Sequence, residues 1–181
     1  MKKTFWYRFT CVMLTGVFIS ISLSIFSKRF TIAIAQQECL PYRVFIVDKW
    51  VRPAKGDFAL ASGEHVPGYG RKVKMVKIVA CEPGGKIEVK EADNRTPRII
   101  LVNGKEGTYT PKREVKLLCN GGIVLTAFER GSRGQLLPQL PVGQKIIDGY
   151  FLMGTHEASY DSRYFGGIPG DDILGRAYPL F

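Results

Sequence analysis

An uncharged run close to the N-terminus, FTCVMLTGVFISISLSIF from Phe9 to Phe26, constrains this chain more than any other feature. It approaches the roughly 20 residues that a membrane-spanning helix needs. Lys2, Lys3 and Arg8 precede it, Lys28 and Arg29 follow it, and Trp6 and Tyr7 stand where interfacial aromatics are favoured. The heavier basic charge before the run favours a cytoplasmic N-terminus. Residues 1–30 are therefore expected to form a cytoplasmic n-region and membrane anchor, and residues 31–181 one exported domain. A cleaved signal peptide is the rival reading, because Ala33-Ile34-Ala35 has the small-x-small pattern of a cleavage site. Against it, the apolar run is longer than a usual signal core, and two basic residues separate it from the alanines. Both readings export the same domain.

Beyond the anchor, the 181-residue chain leaves roughly 140 residues for a single domain. With 45% apolar and 23% charged residues it is neither a disordered chain nor a polytopic membrane protein. The formal net charge of +10 can attract nucleic acid or anionic lipid. Its carriers, such as Arg71, Lys72, Lys74, Lys112, Arg113 and Lys116, are scattered and form no stripe interleaved with aromatics. A solvated basic surface and attraction to membrane lipid fit this better, and no nucleic-acid partner is expected.

The 20 glycines and 10 prolines imply many turns and short strands. Strand patterns run over Tyr42–Trp50, Phe58–Ala61, Val73–Ala80, Ile87–Val89, Ile99–Val102, Ile123–Phe128 and Tyr150–Met153. Asn103-Gly104 is a hairpin signal. No long helical periodicity follows residue 30. The expected fold is mainly β: short, twisted antiparallel strands on one N-terminal transmembrane helix.

Cys11 lies in the apolar run, and Cys39, Cys81 and Cys119 in the exported part. Three is an odd number for an oxidising compartment, so one thiol stays free if the other two pair. A Cys81–Cys119 disulfide with Cys39 free is the expected arrangement. No Cys-x-x-Cys spacing exists and His65 and His156 are far apart, so neither zinc nor another cofactor is expected.

Three segments carry chemistry. The first is Glu38-Cys39-Leu40-Pro41-Tyr42, just beyond the anchor. The second is Val76-Lys77-Ile78-Val79-Ala80-Cys81-Glu82-Pro83-Gly84-Gly85, a lysine on an apolar strand followed by Pro-Gly. Lys74 and Lys77 are three apart and so face opposite sides of the strand, and only one can be inward. The third segment is Gly154-Thr155-His156, then Ser159-Tyr160-Asp161-Ser162-Arg163-Tyr164-Phe165-Gly166, then Gly175-Arg176.

Together these resemble the signal peptidase I superfamily of serine–lysine peptidases, most closely its TraF-type members of conjugative transfer systems. The resemblance runs from about residue 36 to the C-terminus. It implies Cys39 in place of the nucleophilic serine, Lys77 as general base and Ser159 as the hydroxyl that orients Lys77. Asp161 and Arg163 would form a charge-assisted pair supporting the site. Gln37, Leu40 and Pro41 would touch substrate, with Gln37 a candidate oxyanion donor. The family pattern is departed from in three places. Gly85 stands where the motif usually has Asp, the Gly-Asp-Asn opening is Gly154-Thr155-His156, and the spacer after it is one residue shorter.

The implied activity is endopeptidase cleavage of an exported precursor, such as a conjugative pilin, in some family members coupled to head-to-tail cyclisation. The implied location is the bacterial inner membrane, single-pass, with the catalytic domain in the periplasm. An unperturbed thiol is a stronger acid than an unperturbed lysine ammonium by about two units, so a Cys–Lys dyad is chemically competent. The rival readings are a general leader peptidase and an inactive relative serving as an assembly subunit of the secretion apparatus.

Overall fold

The computed structural model describes residues 2–35, 40–70, 72–92, 95–102, 105–111, 113–157 and 159–181. Gln37, Cys39 and the Asn103-Gly104 hairpin signal lie outside the described residues. The first element, α1, spans Lys2–Arg29, and its Cys11–Arg29 part is long and apolar enough to cross a membrane. None of that stretch is buried against the protein. A helix apolar on every side needs lipid or another helix around it. Two of its hydroxyls are accommodated internally: Thr15 Oγ1 donates to the Cys11 carbonyl at 2.9 Å and Ser27 Oγ to the Ser24 carbonyl at 3.0 Å.

Helix α1 runs without a linker into β1, Phe30–Ile34. The strands that follow are β2 Val44–Asp48, β3 Phe58–Ser62, β4 Lys74–Cys81, β5 Lys86–Glu91, β6 Arg98–Val102 and β7 Lys105–Tyr109. Next come β8 Glu114–Cys119, β9 Gly122–Phe128, β10 Gly143–Ile146 and β11 Phe151–Met153. A single helical turn, α2 at Ser162–Phe165, and a 3-10 turn at Gly170–Asp172 lead into β12, Ile173–Pro179. The strands form a six-stranded sheet in the order β1-β2-β12-β3-β4-β11, a four-stranded sheet β10-β5-β8-β9, and the β6-β7 hairpin. All named pairings are antiparallel, so the fold is mainly β on one N-terminal apolar helix, as expected from sequence.

The expected strands recur with shifted ends, while β1, β8, β10 and β12 go beyond the expectation. The most consequential is β1, which takes up the Ala33-Ile34-Ala35 segment. It pairs with β2 from Phe30↔Asp48 to Ile34↔Val44, and the Ala35 N–H donates to the Arg43 carbonyl at 2.8 Å. Cleavage after Ala35 would strip an edge strand from the large sheet.

β4 is the hub, because both its faces are covered. Val76 packs with Phe45, Val47, Leu60 and Ala177 on one side; Met75 and Val79 pack with Ala61, Leu152 and Ile168 on the other. Each of the larger side chains among these, fully buried, contributes about 1.5–3 kcal/mol. The far end of β4 joins a third core, shared with Phe151 of β11 and with Val89 and Leu117 of the second sheet.

A disulfide joins Cys81 at the end of β4 to Cys119 at the end of β8, 38 residues on. Closing a loop of that length destabilises the unfolded chain by about 4 kcal/mol in the chain-entropy treatment. The disulfide also explains the residue at position 85. A Cβ at Gly85 would stand 2.5 Å from Cys81 Sγ and 2.9 Å from the Glu82 carbonyl oxygen.

The turn from Arg52 to Asp57 that leads into β3 and the Gly175-Arg176 pair belong to one assembly. Arg52 Nη1 donates to the Gly170 carbonyl at 2.6 Å, and Arg176 pairs with Asp57 at 2.8 Å. Gly175, with φ +155°, lets β12 press against the Asp48 carbonyl where any side chain would collide.

Because the disulfide occupies the space a side chain at position 85 would need, Gly85→Ala should destabilise the oxidised protein by about 1–3 kcal/mol. In a Cys81→Ala/Cys119→Ala background the loss should shrink by about half, with the Glu82 carbonyl still crowding the site. Urea unfolding of the four variants measures the coupling; equal losses in both backgrounds would remove the disulfide from the explanation.

Candidate functional site

Lys77 lies mid-strand on β4 and is buried at 4% exposure, whereas Lys74 on the opposite face is exposed. The small Ala59 is its cross-strand neighbour on β3. The Lys77 amine donates to Ser159 Oγ at 2.7 Å. Ser159 is itself buried, and among the described residues no carboxylate forms an ion pair with Lys77. The structure thus brings together two residues 82 positions apart that the sequence reading had paired.

The hydroxyl is aimed by a buried ion pair. Arg163 and Asp161 have side chains 1% and 0% exposed. The guanidinium grips the carboxylate through both prongs, Nε to Oδ1 at 2.8 Å and Nη2 to Oδ2 at 2.8 Å. The remaining donors reach carbonyls: Thr126 and Glu157 from Nη1 at 3.3 Å each, His156 at 3.0 Å and Ser159 at 3.1 Å from Nη2. The loop carrying Ser159 is therefore wrapped around one guanidinium.

Asp161 has a second role as N-cap of α2, accepting the Arg163 N–H, while its other oxygen accepts the Gly154 N–H at 2.8 Å. Ser162 Oγ accepts the Leu152 N–H at 2.9 Å and fastens α2 to β11. This use of Ser162 was not anticipated, although the residue belongs to the intact Ser159–Gly166 run. Tyr160 stacks on Tyr164 with centroids 5.8 Å apart and meets Tyr69 edge-on at 6.0 Å. Burial raises the Tyr164 phenol above its ordinary value, and burial followed by the neighbouring Tyr69 raises that of Tyr160.

Lys77 borders a groove of about 530 Å³ walled by Ile32, Ala33 and Ile34 of β1, by Leu40, and by Met75 and Val76 of β4. Of the candidate substrate contacts, Leu40 is buried and lines the groove; Pro41 is exposed and is not part of its lining. A second cavity of about 510 Å³ lies beside β10, between Ile87, Val142, Phe151 and Phe165, and is lined by neither Lys77 nor Ser159. Among the described residues no cluster of three or more His, Cys, Asp or Glu side chains could hold a metal ion.

Among the described residues both walls of the groove have an open backbone edge. There β1 pairs only with β2. β11 covers β4 only from Ile78 to Cys81, so on that side the Lys74–Lys77 half carries no strand.

Residues 4–181 match the family described as signal peptidase, peptidase S26. The chain is 28% identical over 144 residues to the conjugal transfer protein TraF of Agrobacterium fabrum (strain C58 / ATCC 33970), covering 79% of this chain and 64% of that protein. It is 28% identical over 115 residues to the conjugal transfer protein TraF of Agrobacterium tumefaciens (strain 15955), covering 62% and 51%. The chain thus spans between half and two thirds of the length of these relatives.

Removing the carboxylate strands a buried guanidinium, so Asp161→Ala should cost about 3–5 kcal/mol. Ser159→Ala leaves only one hydrogen-bond partner missing and should cost about 1–3 kcal/mol. Chemical denaturation of the two variants decides the order. Stability from the protonated Tyr164 is fully present below about pH 10 and is lost above it, because the unfolded chain ionises first. Tyr164→Phe should flatten that alkaline loss in denaturation midpoints taken between about pH 8 and 11.

Proposed function

The chain belongs to the signal peptidase S26 family, and from that premise we propose that it is a membrane-anchored endopeptidase with a Cys39–Lys77 dyad. The observation that carries the reading is the Lys77 amine, buried at the border of the groove and bonded to a neutral hydroxyl. A lysine that only decorates a surface has no use for that setting, whereas one that exchanges a proton with a nucleophile needs it. Leu40, next in sequence to Cys39, lines the same groove.

The substrate would bind as an extended strand. A peptide laid between β1 and the Lys74–Lys77 half of β4 can bond to both open backbone edges while alternate side chains enter the apolar walls. In the first step Lys77 takes the Cys39 thiol proton, and the sulfur attacks the scissile carbonyl. Backbone N–H groups near Cys39, with the Gln37 side chain, would hold the oxyanion. The tetrahedral adduct then collapses to a thioester, and Lys77 returns the proton to the departing amine. Water, deprotonated by Lys77, hydrolyses the thioester and regenerates the thiol; an amine at the substrate's own terminus would instead close a ring. Ser159 keeps the Lys77 amine aimed, and Asp161 with Arg163 keeps Ser159 aimed.

The substrate we propose is an exported precursor made for conjugation, in particular a small membrane-embedded pilin. Support comes from the relatives' description as conjugal transfer proteins and from the lipid-compatible helix feeding the groove wall. The anchor would lie in the bacterial inner membrane with the catalytic domain in the periplasm. Membrane lipid would also meet the outer face of β1, β2 and β12. There Ile32, Ile46 and Tyr178 form one row, and Ile32, Ile34 and Leu180 are exposed.

Co-expression with the candidate pilin precursor, read by intact mass, tests the reading. Processing should occur with wild type and be lost in Cys39→Ala and Lys77→Ala, with Ser159→Ala slower by about 10²-fold or more. A product lighter by one further water would mark cyclisation. Processing that persists in Cys39→Ala but not Lys77→Ala would move the nucleophile elsewhere. No processing by wild type would favour the assembly-subunit alternative for this partner.

A further inference from the structure

The junction between the anchor and the domain is built as a clamp rather than a tether. No residue separates the end of α1 at Arg29 from the start of β1 at Phe30. The Arg29 side chain turns back onto Asp48, the last residue of β2. Its Nε donates to Oδ1 at 3.1 Å and Oδ2 at 3.0 Å, and Nη2 to Oδ2 at 2.6 Å. Asp48 is 3% exposed and also accepts the Trp50 N–H at 3.0 Å. The guanidinium lies 4.9 Å from the Phe30 ring centroid and 5.4 Å from that of Trp50. Two further bonds cross the junction: the Lys49 N–H to the Arg29 carbonyl at 2.9 Å, and the Lys49 amine to the Ser27 carbonyl at 3.0 Å.

A helix-to-strand junction is where a hinge would normally absorb backbone rotation. Here the last helical turn is fastened to the end of β2 by side chain, backbone and ring contacts at once. The bond to Arg29 holds the Asp48 carboxyl below the usual carboxylate range. An exposed ion pair of ordinary geometry would not restrain a helix, but this carboxylate is buried and its partner engages it with three N–H···O contacts. The strand that starts at the clamp is the same β1 that walls the groove. Whatever orientation α1 takes in a bilayer is passed to the groove through these few residues.

We propose that the Arg29–Asp48 clamp makes the anchor a rigid strut that fixes the height of the groove above the bilayer. It thereby selects which peptide bond of a membrane-embedded precursor reaches Lys77. This rests on the peptidase reading above for its second half and on geometry alone for its first. Arg29 and Asp48 are positioning residues that fix α1 relative to the sheet, while β1 itself is held by its backbone pairing with β2.

The two halves are tested separately on the full-length protein in lipid nanodiscs. For rigidity, spin labels are placed on Cys11 and on Lys145→Cys in a Cys39→Ala background, and the inter-label distance distribution is recorded. A narrow distribution that widens at least twofold in Asp48→Asn and in Arg29→Gln is expected. A distribution equally narrow in both variants would overturn the clamp.

For selection, the pilin precursor is remade with its scissile bond moved by one to four residues from its apolar segment. With Cys39 intact, wild type should prefer one spacing by about tenfold or more, and Asp48→Asn should reduce that preference to about threefold. A short soluble peptide spanning the bond should be cleaved alike by both. A preference unchanged in Asp48→Asn, or peptide cleavage falling in parallel with precursor cleavage, would overturn the measuring role. Absence of any cleavage by wild type would sink that role together with the peptidase reading, while the distance measurement would still decide whether the clamp is rigid.

Discussion

The arrangement around Lys77 depends on a pair of charges that water does not reach. Burying Arg163 and Asp161 costs several kcal/mol per ion in desolvation, and their attraction offsets that only when the remaining donors and acceptors are also matched. They are. The carboxylate takes both prongs of the fork and two backbone N–H groups, and the spare guanidinium donors take four carbonyls. A well-packed apolar cluster in the same volume could give equal stability. It could not hold the carbonyls of His156, Glu157 and Ser159 at fixed points around a plane. The pair is better understood as specifying the shape of a loop than as strengthening the fold, and that shape presents Ser159 Oγ to the Lys77 amine.

The second sheet has its own part in this geometry. It ties to the site at two independent points, through Cys119 on β8 to the end of β4 and through the Thr126 carbonyl on β9 to Arg163. Tyr164, one residue after that arginine, is buried in the core shared with Val89, Val115 and Leu117. Lys77 is thus held by the pairing of β4 with β3, and its surroundings are braced by the second sheet through Cys119 and Arg163. A constellation that must be accurate to about half an ångström needs such support, since a single sheet twists and breathes.

Much of the site was legible because its side chains are constrained by local chemistry. Parity along a strand placed Lys74 and Lys77 on opposite faces, and the family resemblance, through the Pro-Gly after Lys77 and the Ser159–Gly166 run, pointed to Lys77 as the inward one and to Ser159 as its partner. The parts that escaped share a different cause. β10 is exposed along its whole length and shows no alternation, so nothing in Gly143–Ile146 marks a strand. β12 contains Gly175 and ends at Pro179, both of which argue against a strand until the close approach to Asp48 is seen. β1 read as a stretch between anchor and domain because its partner, β2, is what makes it a strand. The Arg29–Asp48 pair spans 19 residues with no local pattern, and only the folded sheet closes it. Long-range pairing is invisible to periodicity, whereas local burial is not.

The place of β1 changes what the N-terminal helix means. A tether could be cut without altering the domain it holds, as a signal peptide is cut. Here the residues that follow the helix form the edge of the large sheet and one wall of the groove that Lys77 borders. Loss of everything through Ala35 would expose the backbone edge of β2 and remove the β1 wall of the groove. The apolar helix and the strand that completes the groove are then one continuous piece of chain. On the proposed reading, a peptidase with a lipid-embedded substrate would gain from that continuity, because its anchor and one wall of its groove come from the same stretch of chain.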